Sequence, residues 1–452
     1  MRVFVFNIVL KNGSMNKFQQ HIAKQSQHFI ALYLGMAGFS TYFCMYAFRK
    51  PFTAGDFHNV SLWGIDYKII LVIAQVLGYA TAKGFGIKIV SEVLPEKRAK
   101  YIVWMIVFAG LNLLFFALVP PPYNWIFLYF NGFSLGMIYG LVFSFLEGRQ
   151  ITEILGAGLA ISFIVSSGIV KSIGKYLINF GINEYWMPFW TGLIFFPLLL
   201  LSVYGLTLAP KPTEADQKER SIRLPMNAKS RNIFINKYGF GLISLILVYV
   251  LMTIIRDIRD NFGVEIWREL GVTDASIFTK TETIIGFAIC LLTALMYFVK
   301  DHKKAFWLNH LMIFTGCLLI LISAILFQNK AITSFGWSVL MGIGLYMAYV
   351  PYNGMLFDRL LAVLKEKANV GFLFYLADFS GYLATVFMMI YQNFGTQKTS
   401  WLGFLMDLSH VLPVICIVSI TVSFFYFNQK LNPVNNLRKP SFKRTTPVRS
   451  TY

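Results

Sequence analysis

Seven ionisable side chains stand where the surrounding sequence is apolar: Arg49, Lys83, Lys171, Arg256, Arg259, Glu282 and Asp378. A charge at membrane depth costs about 2.5–3.5 kcal/mol on insertion scales, so such groups face a partner or an aqueous cavity. Arginine keeps its proton at physiological pH and presents a planar fork that suits phosphate or carboxylate. Arg49 ends the run YFCMYAFRKPF, and Arg256 lies near the end of LVYVLMTIIRDIRDNF. The chemistry these residues suggest is anion binding. Tyr46 and Tyr349 are candidate neutral donors beside the arginines. Two other readings stay open: Arg49-Lys50 as an interface anchor whose stems snorkel, and Asp257 with Asp260 as a metal or pyrophosphate site. The chain has no P-loop, no H-E-x-x-H and no nucleophile-elbow serine.

The elements that must position these residues are membrane helices. Of 452 residues, 56% are hydrophobic and only 13% charged, and the mean hydropathy is +0.60; soluble domains carry about 25% charged residues. Runs long enough to cross hydrocarbon as helices predict an all-α membrane protein with twelve spans: 29–48, 67–88, 101–119, 125–146, 155–178, 187–208, 239–258, 281–299, 305–327, 335–356, 371–391 and 408–427. The polar, basic stretch 209–238 separates two six-helix halves, 29–208 and 239–427, flanked by an N-terminal segment 1–28 and a basic tail 428–452. Alternate connecting segments hold 28 and 7 Lys/Arg, which by the positive-inside rule places both termini in the cytoplasm and the protein in the inner (plasma) membrane. Met15 is an alternative start to Met1, and no signal peptide is expected. Cys44, Cys290, Cys317 and Cys416 lie in apolar runs and read as small hydrophobes. The net charge of +19 follows from the topology and implies no nucleic-acid partner.

Arg49 follows Phe29 by 20 residues and Arg256 follows Tyr238 by 18, so the two lie at similar depth in corresponding helices of the halves. This layout is that of the major facilitator superfamily, and the local sequences resemble its organophosphate:phosphate antiporters. GYATAKGFGIKIVSE in span two and IRDIRDNFGVEIWREL in span seven carry the likeness, supported by FNGFSLGMIYGLVFSFLEGR in span four and GLYMAYVPYNGML in span ten. The resemblance implies that Arg49 and Arg256 bind the substrate anion and that Lys83 contacts it. Glu92, Ala82-Lys83-Gly84 and Asn261 depart from that pattern. They mark a diverged bacterial relative, and a carboxylated solute is as admissible as a phosphorylated one.

The superfamily layout also brings spans two and eleven, and five and eight, together between the halves. Two inter-half ion pairs are expected there, Lys83–Asp378 and Lys171–Glu282, with either role open for Lys83. Arg259 is expected to be an anchor or a partner of Asp260. Lys50 keeps the anchor role, and Glu147 with Arg149 is expected to form a gating or structural pair. The expected function is secondary active transport of a small anionic solute by a monomer without cofactor or metal. The alternatives are a non-transporting scaffold or sensor, and a membrane transferase.

Overall fold

The structure, a computed structural model of the chain, describes residues 20–22, 24–58, 60–146, 152–210, 228–353, 355–365, 370–394 and 399–432. Glu147, Arg149, Met1 and Met15 lie outside the described residues. The first half contains α1 (Gln27–Tyr46), α2 (Tyr67–Glu92), α3 (Pro95–Leu118), α4 (Trp125–Leu135), α5 (Ile138–Leu146), α6 (Thr152–Asn179) and α7 (Met187–Thr207). The second contains α8 (Ala228–Asn261), α9 (Gly263–Glu269), α10 (Ile277–Tyr297), α11 (His302–Gln328), α12 (Ser334–Tyr349), α13 (Leu356–Leu364), α14 (Val370–Phe394) and α15 (Trp401–Leu431). Among the described residues eleven spans are long and apolar enough to cross a membrane, and up to twelve if the pair α12–α13, bent by 46°, counts as one span. This is an all-α, multi-pass membrane protein.

Capping follows the sequence closely. Ser26, Thr333 and Ser400 accept from the backbone N–H three residues on, at the starts of α1, α12 and α15. Pro95 and Pro188 open α3 and α7 where a missing N–H costs nothing. The seventh helix begins at Ala228, inside the stretch read as linker. Its first turns are polar and escape a count of apolar runs, but they contain no proline to stop the helix.

The halves meet along two seams, α2 against α14 and α6 against α10. Glycine permits the second: a Cβ on Gly168 would fall 2.5 Å from the Phe278 carbonyl and 2.7 Å from the Glu282 Cβ. Within the first half, α2 and α4 cross so closely that a Cβ on Gly132 would lie 2.1 Å from the Gln75 carbonyl. The side on which α1 starts and α15 ends is called here the terminal face; the other is the far face.

Three spans are interrupted inside the protein. Pro51 ends the α1 ladder after Tyr46, and a buried 3₁₀ turn, Pro51–Ala54, follows. The carbonyls just before the break find donors in other helices: Gln75 Nε2 reaches Arg49 O at 2.9 Å, and Asn131 Nδ2 reaches Phe48 O at 3.1 Å. Gln75 also donates to Asn131 at 2.9 Å, which locks both amides. The fourth span splits between α4 and α5 at Gly136-Met137, and α12 gives way to a 3₁₀ turn at Val350–Asn353. Irregular backbone at such depth is tolerated only where it is buried in protein or lines a cavity.

Candidate functional site

A small cavity lies between the halves, and Arg49, Lys83, Arg256, Asp378, Tyr46 and Tyr349 all line it. Arg49 enters from the break in α1 and is 5% exposed. Its guanidinium lies 4.0 Å from the centre of the Tyr79 ring, and Nη1 donates to the Tyr46 hydroxyl at 3.3 Å. Its Nε has no hydrogen-bond partner, and among the described residues no carboxylate forms an ion pair with it. Arg49 is a cavity residue, not an interface anchor.

Arg256 comes from α8 in the other half. It binds Asp257 through Nη2 at 2.8 Å and Nε at 3.1 Å, and donates to the Tyr349 hydroxyl. Thr385 on α14 holds the second Asp257 oxygen at 3.1 Å. The two arginines are therefore unequal: one is neutralised by its sequence neighbour, and the other is not.

Toward the terminal face, Lys83 Nζ meets Asp378 Oδ2 at 3.0 Å, across the α2–α14 seam. The rings of Tyr79, Tyr139, Phe374 and Tyr375 surround the ammonium at 5.3–5.5 Å. The Tyr249 hydroxyl donates to Asp378 Oδ1 at 2.7 Å and lies 2.7 Å from the Tyr349 hydroxyl. A continuous polar chain thus runs from Lys83 through Asp378, Tyr249 and Tyr349 to Arg256 and Asp257. Tyr139 donates to the Asn353 carbonyl at 3.2 Å, a second inter-half contact on this side.

On the far side a denser set of contacts joins the halves. Asp260 accepts from Lys171 at 2.6 Å, and also from Lys50 and Ser167. Lys50 donates in addition to Asn261 Oδ1 at 2.7 Å. Lys68 meets Glu265 at 2.5 Å, and Arg268 meets Asp56. Ser172 donates to the Ala275 carbonyl at 2.7 Å and lies 2.8 Å from Thr279 Oγ1. Burial raises the Asp56 carboxyl, but Arg268, Lys175 and Lys68 outweigh it and hold it below the ordinary aspartate value. That contribution is present at neutral pH and is lost as pH falls through the lowered value.

Several sequence expectations need correction. Lys171 pairs with Asp260 and not with Glu282, whose partner is Arg259 at 2.6 Å within its own half. The reason is the direction of α8: Asp260 faces the seam, while Arg259 turns inward to α10 and reaches the Ser338 carbonyl of α12. Arg259 is therefore neither an anchor nor the partner of Asp260. Lys50 is 3% exposed, because the chain stays inside the protein through Pro51–Ala54 and does not exit at the span end. Asp257 pairs with Arg256, and Asp260 with Lys50 and Lys171, so each carboxylate is engaged by its own cations.

Sequence reasoning passed over Gln75, Asn131 and most of the cavity tyrosines, and named Asp257 only with Asp260. A signal was present. Tyr42, Tyr46 and Arg49 follow one helical face, as do Tyr79 with Lys83, Tyr249 with Arg256, Tyr349 with Asn353, and Asp378 with Tyr382. In each of these five helices a tyrosine stands one or two turns from a polar or charged cavity residue.

The model of a family of unknown function, DUF5690, matches residues 51–430. The chain belongs to this family. A comparison with curated proteins found no match. Among solved structures, the crystal structure of a D-xylose-proton symporter is similar, with a TM-score of 0.59, 13% identity, and coverage of 88% of this chain and 98% of that one. The fold of this DUF5690 chain is of the major facilitator type.

Proposed function

We propose that this DUF5690 chain is a secondary active transporter that moves a small organic anion by alternating access. The observation that carries the reading is Arg49: a permanent cation, 5% exposed, with an unpartnered Nε, facing Arg256 across a cavity between two six-helix halves. An unneutralised guanidinium at this depth is expensive, and an anion bound to it offsets that cost. The similarity to a proton symporter supports transport as the activity. The resemblance to organophosphate:phosphate antiporters supports an anion as the solute. Bound between the halves, the anion neutralises Arg49 and draws the halves together.

In this reading the far-face contacts open while Lys83–Asp378 and Tyr139–Asn353 stay closed, and the reverse half-cycle exchanges the two sets. Asp378 is the carboxylate on which a coupling proton would act, because Tyr249 and Tyr349 link it to Arg256. The cytoplasmic placement of the terminal face rests on the Lys/Arg distribution.

Uptake into proteoliposomes tests the proposal, with phosphate, sugar phosphates, glycerol phosphate and carboxylates as candidate solutes. Arg49→Ala and Arg256→Ala are each expected to reduce uptake of the active solute by about 100-fold, the scale of losing a buried charge-assisted contact. Uptake of every anion unchanged in both variants would overturn it.

A further inference from the structure

The unequal arginines point to the kind of anion. Arg256 is neutralised by Asp257, and Lys83 by Asp378. Arg49 alone is left over, so these five charged groups sum to a single positive charge. A second negative charge on the ligand would find no free cation in a dry, low-dielectric space. The walls say what the rest of the ligand is. The Tyr139 and Tyr349 hydroxyls are engaged by the Asn353 carbonyl and by Tyr249 and Arg256. The Tyr46 hydroxyl accepts from Arg49 and keeps its own proton for a ligand oxygen. With Phe163 and Phe374, the Tyr139 and Tyr349 rings offer faces and edges on which a flat ring packs.

Resting on the anion-transport reading above, we infer that the cavity selects a monoanion built as a carboxylate on a small flat apolar ring, held by Arg49 and packed among the tyrosine rings. Asp257 is then a specificity residue. By cancelling Arg256 it sets the valence the site accepts.

Binding to the purified full-length chain is measured by thermal shift and by titration at pH 8, where a phosphate monoester is mostly dianionic. The probes are benzoate, acetate, phenyl phosphate and inorganic phosphate. Benzoate is expected to bind at least about tenfold more tightly than acetate, from the ring, and than phenyl phosphate, from the valence. Asp257→Asn frees Arg256 and is expected to shift the benzoate-to-phenyl-phosphate ratio at least about tenfold toward the dianion. Wild-type protein that binds phenyl phosphate or inorganic phosphate as tightly as benzoate, or acetate as tightly as benzoate, overturns the inference while leaving anion transport standing. An unchanged ratio in a folded Asp257→Asn also overturns it. Binding of none of the four probes, with Arg49→Ala indistinguishable from wild type, removes the anion reading as well.

Discussion

Asp260→Asn is expected to unlock the far face. One carboxylate there receives Lys50, Lys171 and Ser167 from the opposite half. Removing its charge leaves two ammonium groups, 3% and 2% exposed, with a neutral amide. Breaking a buried pair in this way costs about 3–5 kcal/mol. The cost falls on the closed far face, because opening returns both lysines to water. The population of that closed state should therefore fall by a factor of about 100 or more. Cysteines introduced by Ser172→Cys and Thr279→Cys, in a chain whose four native cysteines are replaced, report the closure; the parent side chains are 2.8 Å apart across the seam. Oxidative crosslinking should be rapid with Asp260 present and slow once Asp260→Asn is added. Equal rates would show that the ion pairs do not hold this face shut.

Lys83→Met is expected to be the second severe change, with a different signature. Asp378 is 3% exposed and would keep only the Tyr249 hydroxyl as a partner. A loss of about 3–5 kcal/mol is expected for the single variant, read as thermal or denaturant stability in detergent. The double variant Lys83→Met/Asp378→Asn should recover most of this loss, since no uncompensated charge then remains. Transport separates the roles left open for the pair. If it serves only to join the halves, the double variant transports. If Asp378 takes part in coupling, the double variant is stable and inactive. Equal stability of the single and double variants would show that the two groups are not coupled.

The charge at membrane depth was the most legible part of the sequence, because each such residue is too costly to be incidental. Arg49, Arg256, Lys83 and Asp378 were named on that ground, and the structure brings all four to one cavity. The pairing of Lys171 was misread because assignment across a seam depends on one residue of helical rotation. Asp260 and Arg259 are adjacent in sequence and face opposite ways. Lys50 was misread for a different reason. Reading an apolar run locates its end but not the path beyond it, and here the chain remains buried for another turn. Asp257 was read with Asp260 beside two arginines, and the sequence did not say which arginine each takes, since neighbours in a helix point apart. A side chain as long as arginine folds back far enough to reach its neighbour.

The break in α1 bears on how the protein is made. Emerging from the ribosome before α2 and α4, α1 carries two carbonyls and a guanidinium that its own sequence does not satisfy. The amides that hold those carbonyls belong to Gln75 and Asn131, 26 and 83 residues later. Until α4 is synthesised, the far end of the first helix has no stable place in lipid. It should wait at the insertion machinery or the bilayer surface and settle only when the fourth span arrives. A nascent chain ending near Leu118 should leave an Arg49→Cys thiol open to alkylation, and one extended beyond Leu146 should protect it. Equal protection at both lengths would mean that α1 settles unaided. Early residence outside the bilayer core would make the first span the last of its bundle to take its native position.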